Sequence, residues 1–168
     1  MIELDAEAIY RTLLARLREQ TIGRDVRLVG VHSGGAWLAE RLRRDLGSDP
    51  AIGILDVSFY RDDFNRGGLK PGVQPSQIPF EVAGADIVLV DDVLFTGRTV
   101  RAAMNELFDY GRPARIDLAV LIDRGGRELP IAATVVGRTI EVPADVKVEL
   151  SCDAALVLHL TLEQAPRA

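Results

Sequence analysis

The feature that most constrains the fold is an uninterrupted apolar run, Ile87-Val88-Leu89-Val90, near the middle of the chain. A run that is apolar at every position predicts a strand buried on both faces, as in the centre of a parallel sheet. Parallel strands need crossover connections, which are usually helices. The run therefore predicts an α/β architecture.

The remaining patterns alternate between helix and strand, as this architecture requires. Ile9, Leu13 and Leu17 recur at helical spacing, which predicts an amphipathic first helix. The predicted helices cover residues 6–18, 36–46 and a segment ending at Phe108, and the predicted strands cover residues 26–31, 52–60, 87–90, 116–122, 135–136 and 146–150. We expect one domain over residues 1–168, with a central parallel sheet flanked by helices.

Composition sets the broad class of protein. Hydrophobic residues make up 48% and charged residues 27%, which is typical of a globular protein. No apolar run approaches the ~20 residues of a membrane span, and the amino terminus lacks the pattern of a secretory signal. Cys152 is the single cysteine, which excludes an internal disulfide and favours a reducing compartment. We therefore expect a cytoplasmic protein without membrane partners.

A long segment rich in glycine and proline, residues 61–84, interrupts the alternation. Long loops within compact domains are usually functional. The segment predicts a mobile arm over a binding site. A disordered insertion, or a β-arm used in subunit contacts, is the alternative interpretation.

Three predicted strands are followed by segments rich in glycine, acidic or basic residues, and ligands in such sheets bind at the carboxyl ends of strands. These segments are Ser33-Gly34-Gly35, the segment from Asp91 to Thr99, and Asp123-Arg124-Gly125-Gly126. Asp91 and Asp92 directly follow the apolar run, so they are expected at its solvent end. Two carboxylates close together need partners, and the adjacent hydroxyls of a sugar supply them.

The turn after the acids, Thr96-Gly97-Arg98-Thr99, is suited to an anion. Its small residues let backbone N–H groups converge, and the following helix N-terminus favours negative charge. Acids for a diol beside a turn for an anion predict a ribose 5-phosphate site. The alternatives are plain helix capping and a phosphorylatable receiver-like domain, whose first strand should also end in acids. The nucleotide-hydrolase and dinucleotide motifs are absent from the sequence.

At these residues the chain resembles the type I phosphoribosyltransferases, whose signature is an apolar strand, two acids and a Thr-Gly turn that opens a helix. Within that superfamily it is similar to the PyrR family, pyrimidine operon attenuation regulators with uracil phosphoribosyltransferase activity. Further matching segments are Gly30 to Leu42, Ser58-Phe59-Tyr60-Arg61-Asp62-Asp63, Gly111-Arg112-Pro113 and Asp123 to Pro130.

The resemblance implies a central sheet with a mobile arm and a small hood, and a site for 5-phosphoribosyl 1-diphosphate (PRPP) and uracil, with UMP as product. Asp91 and Asp92 would be catalytic and hold the ribose. The residues implied to bind the ribose and 5-phosphate of PRPP are Val90, Asp91, Asp92, Val93, Leu94, Phe95, Thr96, Gly97, Arg98 and Thr99. The implied pyrophosphate loop is Ser33, Gly34 and Gly35, and the implied arm includes Tyr60, Arg61, Asp62 and Asp63. The uracil would be bordered by Leu121, Ile122, Asp123 and Arg124. Mg²⁺ would arrive with the diphosphate, and a homodimer or higher homo-oligomer is implied.

Two departures from the family pattern affect these expectations. Many members carry Thr-Arg-Gly where this chain has Ser33-Gly34-Gly35, so an arginine near the diphosphate is missing, and Arg61 or Lys70 could replace it. The regulators often have histidine where this chain has Gly126. Together with the net charge of −5, this weakens the case for RNA binding. An RNA-binding regulator with vestigial catalysis is the alternative function. Its candidate residues are Arg11, Arg16, Arg18, Arg41, Arg43, Arg44, Arg124, Arg127 and Arg138.

Overall fold

A computed structural model describes residues 4–47, 51–58 and 76–164 of the chain. Helices are α1 (Ala6–Gln20), α2 (Gly34–Asp45) and α3 (Arg98–Tyr110). Strands are β1 (Val26–Val31), β2 (Gly53–Leu55), β3 (Asp86–Leu94), β4 (Arg115–Asp123), β5 (Val135–Thr139), β6 (Val146–Cys152) and β7 (Leu158–Gln164).

The first five strands form one parallel sheet in the order β2-β1-β3-β4-β5. The predicted α/β class with a central parallel sheet is thus confirmed. Strand β3 lies in the middle, and its Leu89 pairs with Val29 on one side and Leu118 on the other. Because helices cover both faces, Ile87 to Val90 are each 0% exposed, which explains why the run is apolar throughout.

Each face of the sheet has its own apolar core. On one face, α1 and α2 bury Leu13, Leu17, Leu38 and Leu42 against the sheet. On the other, α3 packs Val100, Ala103 and Leu107 against β3 and β4. Phe108, the predicted end of this helix, is 55% exposed because it lies off this buried stripe.

The last two described strands, β6 and β7, form an antiparallel hairpin, which is part of a region over residues 140–164 that we call the hood. Strand β7 was not predicted, although Leu158, Leu160 and Leu162 alternate with polar residues as in a half-buried strand. One of the contacts between the hairpin and the rest of the molecule is made by Glu7, whose Oε1 accepts a hydrogen bond from the Leu158 backbone N–H at 2.9 Å.

Two boundaries around the arm differ from prediction. The strand expected over residues 52–60 ends at Leu55, because the Asp56 carboxylate accepts the Ser58 N–H at 3.0 Å and turns the chain. The arm was expected to reach Gly84, but Ile78, Phe80 and Val82 pack against the sheet. Residues 76–84 therefore belong to the folded core. Within the described ranges, no helix is both long and apolar enough to span a membrane.

Candidate active site

The sheet has a topological switch point between its two central strands, β1 and β3. From β1 the chain passes through α2 to the outer strand β2, and from β3 it passes through α3 to β4 on the opposite side. Helices α2 and α3 therefore leave in opposite directions on opposite faces. A crevice opens at the carboxyl ends of such strands, and this is where ligands bind in open α/β sheets. The segments 31–35 and 91–99 meet at this point.

The paired acids lie within β3, which corrects the expectation that they follow its end. The strand continues to Leu94, and Asp91 pairs with Val120 of β4. Asp91 is 2% exposed, and its Oδ1 accepts the Asp92 N–H at 2.9 Å. Successive strand residues point to opposite faces. The two carboxylates accordingly have different neighbours, Asp91 beside the following turn and Asp92 beside α2.

The pyrophosphate loop predicted at Ser33, Gly34 and Gly35 contacts β3 directly. Ser33 is the N-cap of α2, and Gly34 and Gly35 form its first turn, which the sequence had predicted to begin at residue 36. A Cβ on Gly34 would collide with the Asp92 carboxylate, and one on Gly35 would collide with the Val90 carbonyl. Only glycine allows this approach, so the helix N-terminus lies against the acid.

The turn after β3 forms a small cleft of about 30 Å³. Its lining residues are Asp91, Val93, Leu94, Phe95, Thr96, Gly97, Thr99 and Val100. Gly97 is the N-cap of α3 with a left-handed φ of 95°, and as a glycine it has no side chain with which to cap the helix. Thr96 is buried, and its Oγ1 accepts the Arg98 N–H at 3.2 Å. The N–H groups at a helix N-terminus are suited to an anion.

A second loop, residues 123–131, braces this turn from behind. The Thr96 carbonyl accepts the N–H groups of Glu128 at 3.0 Å and Leu129 at 3.1 Å. The Phe95 carbonyl accepts Nη1 of Arg127 at 2.8 Å. Arg127 also binds Asp123 through Nη2 at 2.5 Å. Because the carbonyl groups of the turn are already hydrogen-bonded to this loop, the turn has its shape before a ligand binds.

Arg124 connects the turn to the hood. Its Nη1 and Nη2 donate to the carbonyls of Val146 at 2.5 Å and Pro143 at 3.0 Å, and its guanidinium lies 3.9 Å from the centroid of the Phe95 ring. The side chain is buried, and burial lowers its pKa. Arginine nevertheless stays charged at neutral pH. Arg124 is therefore a structural link behind the predicted base-binding edge.

The structure brings three of the predicted groups of site residues together: the pyrophosphate loop, the 90–99 segment and the end of β4 at 121–124. The arm residues Tyr60, Arg61, Asp62 and Asp63, together with Lys70, lie outside the described residues. Among the described residues there is no cluster of three or more His, Cys, Asp or Glu side chains that could hold a metal ion.

The sequence prediction missed the bracing role of Arg127, Glu128 and Leu129. Their segment was recognised only as a matching stretch. The available signal was its position directly after β4, since neighbouring parallel strands place the loops at their carboxyl ends side by side.

This fold and site define the class of protein. The phosphoribosyl transferase domain family matches residues 3–152. Among solved structures, a Bacillus anthracis hypoxanthine-guanine phosphoribosyltransferase superposes with a TM-score of 0.65 at 19% identity, covering 83% of each chain. A Staphylococcus aureus hypoxanthine phosphoribosyltransferase gives a TM-score of 0.64 at 22% identity, covering 84% of this chain and 77% of the other. These structures share the fold.

Sequence relatives narrow the family further. A Pseudomonas aeruginosa protein named bifunctional protein PyrR is 56% identical over 147 residues, covering 88% of this chain and 86% of the relative. A Nitrosococcus oceani protein of the same name is 50% identical over 157 residues, covering 89% and 88%. The chain belongs to the PyrR family of phosphoribosyl transferases, as the resemblance in its sequence indicated.

Proposed function

We propose that the protein transfers the phosphoribosyl group of PRPP to uracil and releases UMP and diphosphate. The observation that carries this proposal is the junction of two helix N-termini with one acidic strand. The α2 N-terminus contacts Asp92 through Gly34, and the turn before α3 forms the cleft beside Asp91. PRPP has an anion at each end of a ribose, and this junction offers an anion site on each side of two carboxylates.

Each part of PRPP has a matching part of the site. The 5-phosphate would bind the N–H groups and hydroxyls of residues 96–99, and the ribose hydroxyls would donate to Asp91 and Asp92. The diphosphate would lie at Ser33, Gly34 and Gly35, where the N-terminus of α2 favours an anion. Mg²⁺ would enter bound to the diphosphate, and Asp92 supplies the kind of oxygen ligand that it prefers.

The reaction is a displacement at the anomeric carbon of the ribose. The bond to the diphosphate oxygen breaks, a bond to N1 of uracil forms, and the N1 proton is lost. Positive charge develops on the ring, and the nearby carboxylate of Asp92 would stabilise it. The substrate already carries a good leaving group, so the residues of this chain mainly position the two reactants.

The uracil would lie at the end of β4, bordered by Leu121, Ile122, Asp123 and the backbone of Arg124, whose side chain is engaged with the carbonyls of Pro143 and Val146. The Asp123 carbonyl accepts the Ile140 N–H at 2.9 Å, which joins this edge to the start of the hood. Base selection would therefore rest on backbone groups held between β4 and the hood. We assign no general base for the uracil proton.

The direct test is to incubate the purified protein with PRPP, Mg²⁺ and each free base in turn, and to identify the nucleotide by mass spectrometry. UMP should form with uracil and much less product should form with cytosine or the purines. A reaction without uracil controls for PRPP hydrolysis. Formation of a purine nucleotide, or of no nucleotide with any base, would contradict the proposal.

A second function, regulation through RNA binding, is favoured by the bifunctional protein name of the PyrR relatives. Several candidate arginines are already engaged: Arg124 and Arg127 bind backbone carbonyls, and Arg41 pairs with Glu7. Exposed positions such as Arg11 and Arg44 would have to carry the contacts. Gel-shift titrations with pyrimidine-operon leader RNA over a range of salt concentrations test this. Specific phosphate contacts should weaken steeply as salt rises.

A further inference from the structure

We infer that Arg124 is a positioning residue that couples the 5-phosphate turn to the hood, so that PRPP binding orders the edge on which uracil lies. This inference rests on the proposed function, because it takes residues 96–99 as the phosphate site and the β4 end as the base site. It begins from the position of one buried guanidinium between two segments that are far apart in sequence.

The contacts of Arg124 divide into two sets. Towards the hood, its two terminal nitrogens donate to the carbonyls of Val146 and Pro143. Towards the phosphate turn, its guanidinium stacks on Phe95 and its backbone N–H donates to the Leu94 carbonyl at 3.1 Å. Arg124 is 7% exposed, so both sets of contacts lie away from solvent. A displacement of the turn would therefore be transmitted to the hood through one rigid planar group.

Gly126 supplies the space in which Phe95 lies against Arg124. Its φ is 78°, and a Cβ at this position would overlap the Phe95 ring. The neighbouring Gly125 has almost the same conformation, with a φ of 70°, but a Cβ there would meet nothing within 4 Å. The two glycines would suffer similar backbone strain on substitution, and only Gly126 touches the stack.

This pair of glycines provides a matched test of the phosphate half of the link. Gly126→Ala should weaken Mg²⁺-PRPP binding about 10-fold by calorimetry, because the displaced Phe95 ring would shift the turn. Gly125→Ala carries the same added methyl group and the same strain, and it should bind PRPP within about 2-fold of wild type. Equal binding by the two variants would overturn the assignment of Phe95 to the link.

The hood half is tested by Arg124→Met, with the exposed Arg112→Met as control. The Arg124 variant should raise KM for uracil about 10-fold or more while KM for PRPP changes less than about 3-fold. This split is expected because the turn keeps its bonds to Arg127, Glu128 and Leu129. Arg124→Lys, which retains charge and a donor, should recover part of the loss.

Hydrogen exchange measures the coupling without a base. In wild type, Mg²⁺-PRPP should slow amide exchange in residues 140–146 as well as in residues 94–99. In Arg124→Met, only residues 94–99 should be protected. A variant with a lower Tm but unchanged KM values and unchanged hood protection would show that Arg124 is only structural.

The outcomes separate this inference from the proposed function. If wild type forms UMP but PRPP does not protect the hood, the inference fails and the function stands. If wild type binds PRPP and protects the hood but forms a nucleotide other than UMP, the base assignment fails and the coupling stands. If the Arg124→Met variant does not fold, PRPP binding by Gly126→Ala and Gly125→Ala and hydrogen exchange in wild type still test the inference.

Discussion

Acidic residues cluster at both ends of the central sheet, and the two clusters have different partners. At the amino ends of the strands, Arg24 Nη2 lies 2.5 Å from Asp86 and 2.8 Å from Asp117, and Arg115 also pairs with Asp117. At the carboxyl ends, the Asp92 carboxylate accepts the N–H of Val93 at 2.9 Å and lies against Gly34.

The comparison separates structural acids from candidate functional acids. Burial raises the pKa of the Asp117 carboxyl, but hydrogen bonds from Arg24 and Arg115 more than offset it, and the pKa falls below its usual value. The charge of such a carboxylate is compensated by ion pairs within the protein itself. Asp92 is half-buried, accepts a backbone N–H and lies beside the first turn of α2, and under the proposed function its charge would act on the ligand. Substitutions at the two ends should therefore affect different measurements.

The largest effect is expected from Gly34→Ala at the carboxyl end. The added methyl group would displace either the Asp92 carboxylate or the first turn of α2. A displacement of about 1 Å in a catalytic group can reduce the rate about 100-fold, so kcat/KM for UMP formation should fall by that order. Thermal melting serves as the control for folding. A folded variant with normal kinetics would show that the contact between α2 and Asp92 has no part in catalysis.

At the opposite end, Asp117→Asn should lower stability and leave the chemistry intact. Loss of a buried charged partner of Arg24 and Arg115 should reduce the free energy of unfolding by about 2 kcal/mol, measured by urea denaturation. The exposed Asp109→Asn is the matched control and should be neutral. If Asp117→Asn instead lowered kcat/KM without changing stability, the division between the two ends would be wrong.

Asp92→Asn should have the opposite effect, with slower catalysis and nearly unchanged stability. It keeps the shape of the side chain but removes the charge that would oppose the developing charge on the ribose. We expect kcat/KM to fall about 10-fold or more, equivalent to ~1.4 kcal/mol, with little change in Tm. Steady-state kinetics on Asp92→Asn and Asp117→Asn side by side make the comparison direct. Unchanged kinetics in the Asp92 variant would remove this residue from the mechanism.

The smallest effect concerns Glu7, which joins α1 to α2 and the hood. Its hydrogen bond from Arg41 lowers the pKa to about 2, opposed by burial and assisted by the Leu158 N–H. Since the folded-state pKa is depressed, the stabilisation is complete above pH 4.5 and is lost as pH falls through about 2. Glu7→Gln should cost about 1 kcal/mol at neutral pH, and the difference should shrink on acidification.

Urea denaturation at several pH values measures this effect, with the exposed Glu19→Gln as control. A difference between wild type and Glu7→Gln that stays constant down to about pH 2 would show that the carboxylate charge is not what stabilises the hood.

Much of the sheet and the main site signature could be predicted because they depend on local patterns. Periodic apolar residues predicted α1, and the run from Ile87 to Val90 predicted the central strand. The strand at residues 52–60 was over-extended because a β-branched and aromatic composition does not reveal the turn made by Asp56. Similarly, β3 was ended too early at Val90, since Asp91 and Asp92 are poor strand formers that tertiary pairing with β4 keeps extended.

By itself, the sequence determined the parallel α/β class, the two acids with their Thr-Gly turn, and the family to which the chain belongs. Only the tertiary structure decided that Asp91 and Asp92 face different neighbours, that the loop after β4 braces the phosphate turn, and that Arg124 links this turn to the hood. The physical reason is the distance along the chain over which each kind of interaction acts. Periodicity and turn chemistry act over a few residues, whereas the bonds from Arg124 to Pro143 and Val146 exist only after the sheet has brought distant segments together.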